Sequence, residues 1–217
     1  MVVETRIVCE AGCNFKNLEE AKLFIKKSKE LNLFATKFQL YSDEQIKGSK
    51  DYEFLKSIML DYNKAKELYD YGQSIEQNVF FTPMYIEAVD MLEEVGVNYY
   101  KIRFKDKDNW NIRVKILETN KPYFISVDEM PLIKHKNELN LFCIPKYPAT
   151  YQDYDIGIDK LNMFNGISDH SNTLQLLKEC LLDFGDSYYF ERHMCLDKNC
   201  LESAWSSTFE EIKEVLK

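Results

Sequence analysis

Three histidines occur in the chain, at positions 135, 170 and 193. Two of them close β-rich runs: GISDH ends on His170 and FERH on His193. Neighbouring strands lie about 4.8 Å apart, so two imidazoles at matching heights can share one metal ion. They can also be hydrogen-bonded core histidines, and position alone leaves both open. A second signal is a pair of lysines inside apolar runs: Lys37 before Phe38, and Lys101 between Tyr100 and Ile102. Such a lysine binds an anion, blunts a sheet edge or snorkels to solvent. A closed sheet has no edges, which favours a phosphate or carboxylate as the partner. Glu10 and Asp106 are candidate acid/base groups, although a lone carboxylate is usually just solvated. Trp110 and Trp205 read as packing residues.

These residues need elements to bring them together. Eight β-rich runs are legible, at 6–11, 34–40, 78–83, 98–104, 123–127, 139–144, 164–169 and 187–194. Amphipathic helical patterns occupy 18–31, 52–71, 86–95, 171–184 and 208–217. Asn17, with Glu20 three residues on, marks a helix start. The stretch 128–138 contains Pro131 and is too short for a full helix. Strands alternating with helices indicate a parallel sheet. Eight of them predict an α/β fold, a compact (β/α)8 TIM barrel with a shortened fifth helix, as one domain over 1–217. An open doubly wound sheet is the alternative.

Chemistry in such a barrel sits at the C-terminal strand ends. Strand parity then pairs Lys37 with Gln39, Lys101 with Arg103, Ser168 with His170, and Glu191 with His193. If these pairs face inward, charge converges at one mouth of the barrel. Burying charge there is costly, and a bound metal or charged ligand explains why it is kept.

Composition narrows the function classes. The 217 residues carry 28 Lys+Arg against 36 Asp+Glu, a net charge of −8. An acidic chain without a basic run is a poor nucleic-acid binder. No apolar stretch approaches the roughly 20 residues of a membrane span. The opening MVVETRIVCEAG lacks a basic n-region and a cleavage site, so the expectation is a cytoplasmic protein. Its six cysteines form no CxxC pair and read as reduced thiols. A metal on Cys195 and Cys200 is the less favoured reading.

Six segments together carry a family resemblance: IVCEAGCNF (7–15), TKFQ (36–39), FFTPMYIEAVDMLEEVGVNYYKI (80–102), KYPAT (146–150), GISDHS (166–171) and FERHMCLD (190–197). In order and over nearly the whole chain, they resemble the sialic acid synthase (N-acetylneuraminate synthase) family. The resemblance implies a (β/α)8 barrel that condenses phosphoenolpyruvate with an aldose such as an N-acetylhexosamine. It implies His170 and His193 as ligands of a divalent metal, Mn2+ in the first place, with Mg2+, Co2+ or Zn2+ compatible. It implies Glu10, Gln39 and Asp106 at the reacting centre. Lys37, Thr82, Lys101, Arg103, Ser126 and Ser168 would hold phosphoenolpyruvate, and Asn14, Tyr147 and Glu202 the sugar.

The sequence also departs from the family pattern. A serine that helps hold phosphate is Phe104 here, and the following glutamate is Asp106. Ser-Thr-Gly after the fifth strand is Ser126-Val127-Asp128, a sugar-contacting asparagine is Pro145, and a late aspartate is Glu202. In the family a C-terminal antifreeze-like domain reaches into a partner's barrel and gives an arginine to the sugar. The expectation here is a homodimer or a separate antifreeze-like chain as partner, or a different acceptor. A metal-dependent keto-acid aldolase or lyase, possible as a Schiff-base variant through Lys37 or Lys101, and a non-catalytic barrel subunit are the alternatives.

Overall fold

The structure is a computed structural model that describes residues 6–131, 135–184 and 188–217. Eight parallel strands close on themselves: β1 (Arg6–Glu10), β2 (Ala35–Leu40), β3 (Asn78–Pro83), β4 (Tyr100–Ile102), β5 (Tyr123–Val127), β6 (Glu138–Cys143), β7 (Gly166–Asp169) and β8 (Tyr189–Cys195). Each pairs with the next, and β8 returns to β1 with Glu10 opposite His193. This is the expected TIM barrel. A two-residue strand, β9 (Ser207–Thr208), adds to the end of β8.

The outer layer contains α1 (Leu18–Glu30), α2 (Asp43–Ile46), α3 (Tyr52–Ile58), α4 (Tyr62–Ser74), α5 (Ile86–Val95), α6 (Trp110–Glu118), α7 (Ile158–Leu161), α8 (Gln175–Asp183) and α9 (Phe209–Val215). Asn17 caps α1 by accepting from the Glu20 amide at 2.9 Å. Glu20 reaches back to the Lys16 amide at 2.8 Å, one residue before the cap. The pattern over 52–71 splits in two, because Asp61 caps a new helix by accepting from the Lys64 amide at 2.9 Å. The segment 171–184 turns helical only at Gln175, since Ser171 is held in the preceding loop by Asp169 and Thr173. Helix α6 was not legible: its exposed Trp110 and Val114 blur the polar face. The connection from β5 to β6, where a shortened helix is expected, carries none among its described residues; Leu132, Ile133 and Lys134 lie outside them.

Inward residues form layers. The N-terminal end is plugged by aromatic rings: Phe124 meets Tyr189 at 4.9 Å and Phe80 at 5.4 Å, and Phe34 meets Tyr189 at 5.1 Å. Each such edge or stacked pair adds roughly 0.5–1.5 kcal/mol beyond its burial. The opposite face of the strands packs on the helices through residues such as Ile7, Phe38, Phe81, Ile125 and Ile167. No helix among the described residues is long and apolar enough to cross a membrane.

Candidate active site

Above the aromatic plug the barrel interior turns polar. Lys37 on β2, Lys101 on β4, Glu10 on β1 and Glu191 on β8 are all at most 4% exposed. Lys37 Nζ lies 2.6 Å from Glu10 Oε2 and 3.3 Å from Glu191 Oε2, and donates to Thr82 Oγ1 at 3.2 Å. Lys101 Nζ donates to Glu191 Oε1 at 2.6 Å, and Ser168 Oγ donates to the same oxygen at 2.9 Å. Two ammoniums thus face two carboxylates in a desolvated floor. Burial pulls both lysines down. Lys37, held by Glu10 and Glu191, still ends above its ordinary value. Lys101 has Glu191 alone with Lys37 nearby, and ends below. Burial pushes Glu191 up, but the two ammoniums outweigh it and hold the carboxyl well below the usual range.

The histidines stand one residue pair further up, His193 on β8 and His170 just past the end of β7. His170 follows β7 directly, and its ring centroid lies 5.3 Å from that of His193. Tyr154 fixes the end of β7: its hydroxyl donates to the Ser168 carbonyl at 3.0 Å and accepts from the His170 amide at 2.9 Å. His170 Nδ1 is 3.4 Å from the Ile144 carbonyl. Burial and the neighbouring His193 hold His170 well below its ordinary pKa. His193 Nδ1 lies 3.0 Å from Glu202 Oε2. Burial pulls His193 down, but that carboxylate outweighs it and leaves the imidazole above its ordinary value.

A cavity of about 190 Å³ opens over this floor. Lys37, Gln39, Thr82, Arg103, Ser126, Tyr147, Ser168, His170, His193 and Glu202 all line it. Glu10 and Lys101 lie just beneath; Gln39 Nε2 donates to Glu10 Oε1 at 2.5 Å. Asp106 and Asn14 stand outside the lining. Asp106 accepts from Arg103 Nε at 2.5 Å and so holds the guanidinium. Asn14 donates to the Met194 carbonyl at 2.8 Å and accepts from the Glu202 amide at 3.0 Å, so it positions Glu202. Phe104 is at the rim, where the resemblance led to a serine.

Glu191 had been given no role, although parity had placed it beside His193. It is the hub of the floor. Trp205, read as packing, meets Tyr147 at 5.6 Å and His193 at 6.3 Å between ring centroids. The middle residues of SDH and ERH point to the other face and pair there: Arg192 Nη1 is 2.5 Å from Asp169 Oδ2. His135, the third histidine, takes no part in the site.

The histidines fit a divalent metal. A ligand imidazole must be neutral; burial favours that form at His170, while Glu202 favours the charged form of His193 until an ion takes its Nε2. His193 offers Nδ1 to a carboxylate and leaves Nε2 for an ion, the usual outer support of a metal-bound histidine. Among the described residues no cluster of three or more His, Cys, Asp or Glu side chains forms a metal site. An ion on the two histidines would therefore keep positions for substrate and water.

Comparison with known proteins agrees with this geometry. The model of the NeuB family matches residues 10–217. An uncharacterized protein of Methanocaldococcus jannaschii is 29% identical, over 98% of this chain and 69% of its own length. An N,N'-diacetyllegionaminic acid synthase of Campylobacter jejuni is 24% identical, over 90% of this chain and 69% of its own. The crystal structure of an N-acetylneuraminic acid synthetase from Leptospira borgpetersenii superposes with a TM-score of 0.83 at 21% identity, covering 98% of this chain and 81% of that one, which shows a shared fold. With the family model matched over nearly its whole length, the chain belongs to the NeuB family.

Proposed function

We propose that this chain is a sugar-acid synthase that condenses phosphoenolpyruvate with an aldose, of the N-acetylhexosamine kind or a variant of it, to a 2-keto-3-deoxy sugar acid. The observation that carries this reading is the floor of Lys37 and Lys101 directly under a cavity topped by His170 and His193. Family membership supports the same class of reaction.

The substrate carries a carboxylate and a phosphate. Lys37, Lys101 and Arg103 supply cations, and Thr82, Ser126 and Ser168 supply hydroxyl donors at the cavity wall. Glu10 and Glu191 keep the two buried ammoniums paired before substrate enters, which lowers the cost of holding them dry. In the reaction the methylene carbon of phosphoenolpyruvate bonds to the aldehyde carbon, whose oxygen takes a proton and becomes a hydroxyl. Water adds at carbon 2, and the carbon–oxygen bond to phosphate then breaks, leaving the keto acid and inorganic phosphate. Glu10, bonded to Lys37 and Gln39, is the carboxylate placed to hold a proton at this centre. His170 and His193 would hold a divalent metal, Mn2+ in the first place, which would supply Lewis-acid polarisation of the aldehyde oxygen.

Tyr147 is 50% exposed at the mouth, so the acceptor side opens to solvent. A second copy or a separate antifreeze-like chain would cover it in this reading. Phosphoenolpyruvate is a cytosolic metabolite, and the reading carries a cytoplasmic location with it. The test is phosphate release from phosphoenolpyruvate with Mn2+ across a panel of aldoses. Release that needs both metal and aldehyde supports the reading; release from none of them rejects it.

One observation favours a second reading. Lys101 is fully buried just beneath the cavity with one carboxylate partner, Glu191, at 2.6 Å, a desolvated setting that pulls its ammonium below the ordinary value and suits a keto-acid aldolase working through a Schiff base. Borohydride trapping with pyruvate decides: an adduct on Lys101 favours the aldolase, and none removes it.

A further inference from the structure

Trp205 lies in the loop between β8 and β9, three residues beyond Glu202. Its ring stands edge to face against two residues of the cavity, 5.6 Å from Tyr147 and 6.3 Å from His193 between centroids. The loop around it is fixed. The Trp205 amide donates to the Glu202 carbonyl at 3.2 Å. Ser206 Oγ donates to the same carbonyl at 2.8 Å and accepts from Asn14 Nδ2 at 2.9 Å. The indole as a whole is partly exposed. Its Nε1, however, is buried and has no hydrogen-bond partner among the described residues. An indole N–H can only donate, and a buried donor left unpaired is costly. The rim therefore carries a donor for which the chain supplies no acceptor.

Cavity size says which substrate lies there. Pockets that enclose a small-molecule ligand usually measure about 300–1,000 Å³. The cavity over the lysine floor has about 190 Å³, room for the smaller substrate and not for both. The cationic floor of Lys37 and Lys101 is deep and dry, so phosphoenolpyruvate takes the cavity. The aldose then lies at the rim, against half-exposed Tyr147 and Trp205. We propose that Trp205 is a specificity-determining residue on the acceptor side: its ring packs on the acyl group of an N-acylated aldose, and its Nε1–H donates to the acyl oxygen. This role rests on the synthase reading. An aldose with a hydroxyl in place of the acylamino group offers neither the methyl nor the carbonyl. A site that hydrogen-bonds one substrate group discriminates strongly against an analogue lacking it.

The experiment measures phosphate release by the full chain with Mn2+ over a panel that pairs each N-acylated aldose with its unacylated counterpart, N-acetylmannosamine with mannose among them. Wild type should prefer the acylated member. Trp205→Phe keeps a ring and loses the donor, so KM for the acylated aldose should rise about tenfold, the worth of one hydrogen bond, and the preference should fall by the same factor. KM for phosphoenolpyruvate should move less than about twofold. If Trp205→Phe does not fold, Trp110→Phe leaves Trp205 as the only indole; its emission during turnover should then change with the acylated aldose and not with its counterpart. Equal rises in both KM values, an unchanged preference, unmoved Trp205 emission, or a wild type that prefers unacylated aldoses overturns the role of Trp205 and leaves the synthase reading standing. No phosphate release across the panel overturns both.

Discussion

Glu202 and His193 are joined by a 3.0 Å contact between Oε2 and Nδ1, and Gly12 makes room for it. Gly12 has φ of +52°, and a Cβ there would fall 2.1 Å from Glu202 Oε2 and 3.1 Å from His193 Nδ1. A carboxylate of this kind typically raises metal affinity roughly 10–100-fold. Glu202→Gln should therefore weaken Mn2+ binding by about that factor with the fold intact, as read by calorimetry. Gly12→Ala should weaken it as well, and lose about 1–2 kcal/mol of stability for the left-handed backbone. Unchanged Mn2+ affinity in both variants would remove the supporting role of Glu202.

The charged floor predicts an acid limb of stability. The Glu191 carboxyl is held below its ordinary value of 4.5. A depressed carboxyl contributes stability above that unfolded value and loses it as pH falls through the folded one. Urea midpoints should therefore drop as pH falls below about 4.5. Glu191→Gln should be less stable than wild type at neutral pH by roughly 3–5 kcal/mol, because Lys101 is left without its carboxylate. It should also show a shallower acid limb.

Phe104 is the departure most exposed to test. It occupies the rim of the cavity where the family resemblance led to a phosphate-binding serine. Phe104→Ser adds a donor and removes bulk, and one charge-assisted hydrogen bond is worth roughly 1.5–3 kcal/mol. Phosphoenolpyruvate affinity should rise about tenfold or more in a binding titration. A fall would mean that Phe104 packs against the natural ligand.

Asp169 gives the opposite outcome from its neighbour His170. Its carboxylate faces outward, 2.5 Å from Arg192 Nη1, and Arg192 Nε donates to Ser207 Oγ at 3.0 Å. Asp169→Ala breaks a buried pair and should cost roughly 3–5 kcal/mol of stability. Phosphoenolpyruvate binding at low temperature should change little. Equal losses of binding in Asp169→Ala and His170→Ala would blur the two roles.

Strand parity made most of this site legible. Lys37 with Gln39, Ser168 with His170, and Glu191 with His193 share faces because side chains alternate along a strand, and the barrel sends those faces inward. Parity also implied that Asp169 and Arg192 face away, but not that they meet, because their pairing depends on the register of β7 on β8. Glu191 was in view yet unassigned, since no local pattern shows that two lysines from other strands converge on it. Asn14, expected at the sugar, and Asp106, expected at the reacting centre, both stand outside the cavity lining and are bonded to Glu202 and Arg103. Helix α6 escaped because Trp110 and Val114 are exposed and mask its periodicity. The break in 52–71 hung on a single capping aspartate, Asp61.

The most direct measurement is calorimetric titration of phosphoenolpyruvate into Mn2+-loaded protein, metal-free protein and the His170→Ala variant. The account predicts binding on the order of micromolar Kd in the loaded wild type, weakened at least about tenfold, 1.4 kcal/mol, without metal or without His170. Folded, Mn2+-loaded protein that takes up no phosphoenolpyruvate would contradict it, and the lysine floor would then serve another anion.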